Sequence, residues 1–169
     1  MSHLIARLRV PHILLLAVLI AALAGCSSSK SRVGGVFNLD TDLKLNFIVD
    51  DNINPDESKR PSPVFVRLYE LKAAETFLKA DFIDLYERDK EVLGGDLLNK
   101  QMLKPLTPGA NRTENLVLKS GATQVGIYLE FSRYRGSTYK ATFPVTLNNV
   151  VKNEVTIKIS GNEVSFVKK

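Results

Sequence analysis

The chain has little of what most enzymes use for catalysis. Its 169 residues include no tryptophan, one cysteine, Cys26, and two histidines, His3 and His12. Both histidines lie in the first 25 residues, a segment with the features of a cleaved signal peptide. The mature chain would therefore have no Ser-His-Asp or Cys-His pair, and it would lack the imidazole and free thiolate ligands that transition metals prefer. We expect neither an enzyme nor a metal site.

The first 25 residues have the three parts of a secretory signal. Two arginines form a basic end, an apolar run extends from Ile13 to Leu23, and small residues precede Cys26. The run is well short of the roughly 20 apolar residues that a membrane-spanning helix needs, so we expect residues 1–25 to be cleaved and not retained as an anchor helix. Cleavage removes two arginines and no acidic residue, which lowers the formal net charge from +5 to +3.

The residues around the cleavage site predict a covalent lipid. Leu23-Ala24-Gly25-Cys26 has the pattern of a bacterial lipobox, in which the cysteine is acylated and becomes the new N-terminus. We expect a diacylglycerol and an N-acyl chain on Cys26, not a free thiol, and no other cofactor. Each buried CH₂ is worth about 0.8 kcal/mol, and more than one chain makes anchoring stable. Ser27, and not aspartate, follows the cysteine, as in lipoproteins that are exported to the outer membrane.

The mature chain divides into a tether and one domain. Residues 26–35 are small and polar and end in two glycines, which predicts an acylated N-terminus on a flexible tether. Residues 36–169 suit a single domain with a full-sized core.

Alternation of apolar and polar residues dominates this domain. Seven short segments have the period of a strand with one buried face. They lie at residues 43–49, 64–69, 113–118, 123–131, 139–147, 155–159 and 163–168. Turn residues separate most of them, and Pro144 indicates an edge strand or a bulge. The pattern predicts a mainly β protein, an antiparallel two-sheet β-sandwich.

After the second strand the period becomes helical. Apolar residues recur at i, i+4, i+7 and i+8, which predicts one helix whose apolar stripe docks on the sheet. The stripe consists of Leu78, Phe82, Leu85 and Tyr86. Gly94-Gly95 predicts the helix end. We therefore place a small helical insertion at about residues 72–98 and expect residues 99–111 to be irregular.

The connection from Asp50 to Pro63 is long, polar and rich in proline. Its alternating acids and amides resemble the start of a calcium loop, but Pro55 and Pro61 stand where that loop needs glycine and glutamate. An acidic surface loop is the better interpretation. Prolines limit the entropy that is lost when a loop becomes ordered, as suits a recognition element. From the residues alone, a recognition element and a passive connection both stay open.

Two other groups of residues could carry function. Arg133, Arg135 and Lys140 alternate with aromatic residues, as in surfaces that bind nucleic acid or lipid headgroups. An exported protein seldom meets nucleic acid, so we expect no such partner; a solvated hairpin end is the simpler interpretation and a headgroup contact the alternative. Asp81 and Asp84 form a carboxylate pair without a partner acid or base. A solvated helix surface is the simpler interpretation, and an exported hydrolase that uses only Asp, Glu and Ser is the alternative. We expect no small-molecule substrate.

Several blocks of sequence are informative in combination. They are Asn54-Pro55-Asp56, Arg60–Pro63, Val66–Lys72, Phe77, Ala80–Phe82, Leu85-Tyr86, Leu93–Leu98, Leu106 and Pro108-Gly109. Together with the lipobox, they resemble the TssJ (SciN-like) family of outer-membrane lipoproteins of type VI secretion systems. The resemblance extends from the lipidation signal to about Phe131. It departs at Tyr139-Lys140, where such proteins often have a tryptophan-arginine pair.

The resemblance implies a fold, a location and a partner. It implies a transthyretin-like β-sandwich with a helical insertion, held by lipid at the periplasmic face of the outer membrane. The protein would recruit and stabilise the IcmF-like protein TssM through the periplasmic C-terminal domain of TssM, and would join the other membrane-complex subunits indirectly. The loop between the first two strands would make this contact. Its residues are Asn54, Pro55, Asp56, Glu57, Ser58, Lys59, Arg60 and Pro61. The alternative is a periplasmic lipoprotein binding module, either a pilotin-like chaperone or a ligand carrier.

Overall fold

A computed structural model describes residues 41–147 and 153–167. The predicted signal peptide, Cys26 and the tether lie outside these residues. The strands are β1 (Thr41–Val49), β2 (Val64–Leu71), β3 (Leu97–Leu106), β4 (Arg112–Leu118), β5 (Gln124–Leu129), β6 (Lys140–Pro144), β7 (Asn153–Ser160) and β8 (Glu163–Phe166). The helices are α1 (Glu75–Lys79), α2 (Phe82–Glu87) and α3 (Asp89–Leu93), followed by a 3₁₀ turn at Gly94–Asp96.

The strands form two four-stranded sheets, in the orders β4-β1-β7-β8 and β3-β2-β5-β6. One hydrophobic cluster, with members from both sheets, fills the space between them. The predicted two-sheet β-sandwich is confirmed, and β6, which ends at Pro144, is an edge strand as expected. One pair differs from the antiparallel prediction, because β1 and β7 run parallel. The chain crosses from one sheet to the other between β6 and β7, so β7 can enter beside β1 in the same direction.

Strand β2 is buried on both faces. Val64, Val66 and Leu68 face the core between the sheets, as their alternation predicts. Tyr69 and Leu71 belong instead to a second cluster, formed with the helices that cover the outer face of this sheet. The other buried members of that cluster are Phe77, Ala80, Phe82, Leu85, Leu93 and Tyr128. The helical insertion therefore makes β2 a central strand between two apolar layers.

The prediction that residues 99–111 are irregular was wrong. Most of that segment belongs to β3, which pairs with β2 as an edge strand. Of its ten residues, only Leu103 and Leu106 are buried, so the alternation that marks a strand is weak. Asn99 and Gln101 contribute polar contacts instead, since both side-chain amides donate to the buried carboxylate of Glu70 at 2.7 Å. Because these contacts are polar, the sequence of β3 does not show the apolar periodicity that predicts a strand.

The prediction of one continuous helix was also wrong. Ala80 has an extended backbone (φ −64°, ψ 140°), which ends α1 and restarts the helical register at α2. As a result, two members of the predicted stripe point outward, Leu78 at 51% exposed and Tyr86 at 48%, while Phe77 is buried. The predicted helix end is confirmed, because Gly94 caps α3 with φ +48°.

Arg67 of β2 ties the helical insertion to the sheet. Its Nη1 donates to the carbonyl oxygens of Leu85 and Tyr86, both at 3.0 Å. Its Nε donates to the carboxylate of Glu130 at 2.5 Å. These two carbonyls lie near the end of α2, where helix carbonyls lack partners within the helix. The buried guanidinium of this β2 residue therefore donates hydrogen bonds to the insertion and joins it to the sheet.

Asp89 completes this buried network from the insertion side. Its carboxylate accepts hydrogen bonds from Lys100 Nζ at 2.6 Å and the Tyr69 hydroxyl at 2.9 Å, and lies 3.5 Å from Arg67 Nη1. Burial on its own would raise the pKa of Asp89, but the hydrogen bonds from Lys100 and Tyr69 outweigh it and hold that pKa below the ordinary value. The group is therefore charged and paired at neutral pH.

Close packing of Phe77 on Gly126 of β5 gives a test of this arrangement. A Cβ at Gly126 would lie 2.9–3.1 Å from three ring atoms of the buried Phe77. We expect Gly126→Ala to lower the free energy of unfolding by about 1–3 kcal/mol, because the ring cannot move without disturbing the second cluster. Gly95→Ala, where an added Cβ meets open space, is the matched control and should not destabilise the protein. If urea denaturation gives the same free energy of unfolding for the two variants, the close packing of Phe77 on Gly126 is contradicted.

Candidate partner-binding site

Four connections meet at one end of the sandwich, which we call the loop pole. They are residues 50–63, 107–111, 130–139 and 161–162, at the ends of β1, β3, β5 and β7. The nine residues of β1 span about 27 Å. The strand begins at Thr41, the first described residue, and ends where the loop begins. The predicted recognition loop therefore lies at the end of β1 that is far from Thr41.

Asn54 is the anchor of this loop. It is 4% exposed, and its side-chain Nδ2 donates to Ser62 Oγ and to the carbonyl of Pro63 at 3.0 and 2.9 Å. Its Oδ1 accepts from the amide and hydroxyl of Ser132 at 2.9 and 3.0 Å, and its backbone N–H donates to Gly161 at 2.8 Å. Its φ is +46°, a region that asparagine tolerates better than most residues. Asn54 therefore positions the loop and is itself covered.

The tip of the loop is a preformed turn. The Lys59 amide donates to the Asp56 carbonyl at 3.0 Å, and the Asp56 amide donates to Arg60 at 2.9 Å. The Arg60 amide and guanidinium both donate to the Asp56 carboxylate, at 2.9 and 2.8 Å, and hold its pKa below the ordinary value. Residues 57–61 are exposed, whereas Pro55 and Asp56 are partly buried. A partner would thus meet residues 57–61 first.

The Pro108-Gly109 turn supports the start of the loop. The Gly109 amide donates to the Asp50 carbonyl at 3.2 Å. A Cβ on Gly109 would lie 2.2 Å from the Asp51 carboxylate, and the residue has φ +72°. Only glycine fits this position without strain.

The acids and amides of the loop do not form a calcium site. Asp50 pairs with Lys158 at 3.2 Å, and Asn52 accepts from the Gly161 amide at 3.0 Å. Asn54 and Asp56 have the separate partners described above. Within residues 41–147 and 153–167, no group of three potential ligands could hold a metal ion. In the same ranges, no helix has the length and apolarity that a membrane span requires.

The sequence did not reveal that Ser132–Arg135 adjoins the loop. Asn54 and Ser132 are 78 positions apart, and no local pattern marks their contact. Arg133 and Arg135 are exposed at the loop pole, but Lys140, which was grouped with them, is not part of that surface. Its ammonium donates to the carbonyls of Phe77 and Leu78, at 3.1 and 2.7 Å, and also to that of Ala80. Lys140 caps α1, and burial lowers its pKa.

Asn54 gives a direct test of the loop anchor. We expect Asn54→Ala to lower the free energy of unfolding by about 2–3 kcal/mol, because it removes the four part-buried side-chain hydrogen bonds to Ser62, Pro63 and Ser132 and places alanine at a positive φ. Ser58→Ala, at the exposed tip, should change that free energy by less than about 0.5 kcal/mol. Similar urea denaturation midpoints for the two variants would show that Asn54 does not hold the loop.

Comparisons with solved structures agree with this fold. A lipoprotein of the type VI secretion system of Pseudomonas aeruginosa, TssJ1, matches with TM-score 0.70 and 24% identity, over 77% of this chain and 97% of that chain. The Serratia marcescens protein Lip, described as a membrane-bound component of the type VI secretion system, matches with TM-score 0.68 and 26% identity, over 77% and 98%. A chain in a structure described as the TssM C-terminal domain (869-1107) from EAEC matches with TM-score 0.63 and 22% identity, over 76% and 98%. No curated protein sequence matches the chain.

The sequence also matches a family model. The model for the type VI secretion lipoprotein (VasD, EvfM, TssJ) covers residues 41–162, which is more than half of the chain. The match contains β1 to β7, the helical insertion and the loop pole. The chain therefore belongs to the type VI secretion lipoprotein family (TssJ), whose members are structural components of the secretion membrane complex and not enzymes.

Proposed function

We propose that this protein is held by lipid at the periplasmic face of the outer membrane and recruits TssM through the TssM C-terminal domain. The contact is made by residues 57–61 of the loop between β1 and β2. The observation that carries the proposal is that this tip is exposed but already folded. Binding would cost little loop entropy, which favours affinity.

The direction of the chain supports this role. Acyl chains on Cys26 hold the membrane, and the fifteen residues from Cys26 to Asp40 can extend over at most about 50 Å. The chain then enters β1 and crosses the sandwich before it reaches the loop pole. That reach would let the loop pole contact a partner that is rooted in the inner membrane.

Relatives supply a second line of support. One structure with a chain of similar fold is described as the TssM C-terminal domain from EAEC, and another is described as a type VI membrane complex. The Serratia chain is matched over 98% of its length by 77% of this chain, so a domain of this extent folds without a leader segment. A soluble fragment of residues 27–169 is therefore suitable for binding experiments.

The test is the affinity of residues 27–169 for the cognate TssM C-terminal domain, measured by calorimetry. Replacing Glu57–Arg60 with glycine and serine removes the tip but keeps Asn54, so the rest of the pole stays ordered. We expect the dissociation constant to rise at least tenfold, because both contact residues and preorganisation are lost. The matched control replaces Lys119–Ser120 with glycine and serine, in the turn after β4 at the other end of the sandwich.

Each outcome separates one part of the proposal. Binding that survives loss of the tip would retain the partner and place the site elsewhere on the domain. No binding by the unaltered fragment would reject TssM as the partner and favour the pilotin-like chaperone or ligand carrier.

A further inference from the structure

Ser132–Arg135, which we call the arginine segment, presents two exposed guanidiniums at the loop pole. Six arginines lie within residues 41–147 and 153–167. Arg60, Arg67, Arg88 and Arg112 each have a carboxylate partner within 4 Å. Among these six, only Arg133 and Arg135 have no such partner in the described ranges. A planar guanidinium fork suits bidentate binding of a carboxylate.

The arginine segment is held in place from three sides. Ser132 donates twice to Asn54, which anchors the loop, and Asn162 Nδ2 donates to the carbonyl of Arg133 at 3.3 Å. The Tyr134 ring stacks on Phe82 of the insertion, with centroids 4.1 Å apart and planes 9° apart. The backbone that carries both guanidiniums is therefore fixed relative to the loop tip.

Fixed geometry makes these side chains effective binding groups. The Ser137 amide donates to the Tyr134 carbonyl at 3.0 Å, and Gly136 has φ +76°, so a tight turn follows the segment. Tyrosine and arginine are enriched among the residues that carry most of the binding energy at protein interfaces. A partner that covers the loop tip would meet the arginine segment next, because Asn54 joins the two.

The charges at this surface define what it would bind. At the tip, Asp56 and Arg60 neutralise each other in their ion pair, and Glu57 and Lys59 have opposite signs. The arginine segment adds two positive charges without an adjacent partner. The tip is therefore neutral overall, and the two arginines give the tip and the arginine segment together a net charge of +2.

We propose that Arg133 and Arg135 bind the carboxylates of an acidic segment in the partner that docks on residues 57–61. This inference rests on the proposed function and extends it, because it makes the partner surface bipartite and assigns the second half a charge. A protein partner is favoured over anionic lipid because the segment is continuous with the recognition loop through the hydrogen bonds of Ser132 to Asn54.

The experiment uses residues 27–169 with Arg133→Ala and Arg135→Ala combined. At low salt, we expect the dissociation constant for the TssM C-terminal domain to rise about tenfold or more. At about 0.5 M salt the difference from the unaltered fragment should narrow, since exposed charges are then screened. The matched control combines Lys72→Ala and Lys119→Ala, which removes two exposed positive charges at the other end of the sandwich. It should change the dissociation constant less than about twofold.

Other results would overturn the inference in different ways. If loss of the tip abolishes binding but the arginine variant binds normally, the bipartite surface is wrong and the proposed function stands. If the unaltered fragment does not bind TssM, both fail together. Vesicles of phosphatidylethanolamine and phosphatidylglycerol test the alternative. Arginine-dependent binding to these vesicles, with unchanged affinity for TssM, would assign the segment to lipid. Equal melting temperatures of all fragments would confirm that folding is unaffected.

Discussion

Cys26→Ser should abolish type VI secretion while leaving the folded domain unchanged. The substitution removes the only sulfur that can carry the acyl chains. Without them the protein has no stable membrane attachment, because each lost CH₂ forfeits about 0.8 kcal/mol of membrane affinity. The proposed contact with TssM would then no longer be fixed to the outer membrane. The measurement is release of a secreted type VI substrate from cells that carry only the variant.

The secretion experiment with Cys26→Ser needs controls for the folding and the location of the protein. Ser29→Ala, three residues beyond the cysteine, alters the tether but not the lipobox and should secrete normally. The Cys26→Ser protein should leave the membrane fraction, and its soluble domain should melt at the same temperature as the unaltered domain. Normal secretion by cells with Cys26→Ser would be strong evidence that lipid anchoring is not the basis of function.

Arg67→Ala should be the most destabilising of the substitutions considered. The side chain is 11% exposed and links the sheet to the insertion through two carbonyls and Glu130. Truncation would leave that carboxylate, and part of the Asp89 network, buried without its partner. Breaking a buried ion pair from one side typically costs about 3–5 kcal/mol. We expect a loss of that size in the free energy of unfolding, measured by urea denaturation.

Arg88→Ala is the matched control for this effect. Arg88 also lies in the insertion and pairs with Asp84 at 2.9 Å, but its side chain is 57% exposed. An exposed pair four residues apart contributes less than about 1 kcal/mol. If Arg88→Ala and Arg67→Ala destabilise the protein equally, the buried network does not hold the insertion to the sheet.

The structure changes which loop residues are useful targets. Asn54 is covered and holds the pole together, so its substitution would mix loss of structure with loss of contact. Residues 57–61 are exposed, so their replacement tests contact more directly. Lys140 was a candidate for the basic surface, but its ammonium donates a hydrogen bond to a carbonyl at the end of α1 and so caps that helix. Its substitution would report on the stability of the insertion and not on binding.

The sequence by itself determined the general architecture and the proposed attachment. In β1, Leu43, Leu45 and Phe47 alternate with polar residues, and in β2 the core residues Val64, Val66 and Leu68 occupy alternate positions. Each of these alternations follows from one buried face, so it can be read from neighbouring residues alone. The lipobox is likewise a local pattern, and together with the sequence blocks between Asn54 and Gly109 it was sufficient to indicate the family.

Only the tertiary structure decided the features that depend on distant partners. Strand β3 is held by β2 and by polar contacts to Glu70, so its own residues show little alternation. The break at Ala80 reorients the insertion so that Leu78 faces solvent and Phe77 packs on Gly126. The link from Asn54 to Ser132 crosses 78 positions. Hydrogen bonds and ion pairs between remote segments have no sequence period, so their partners become known only when the chain is folded.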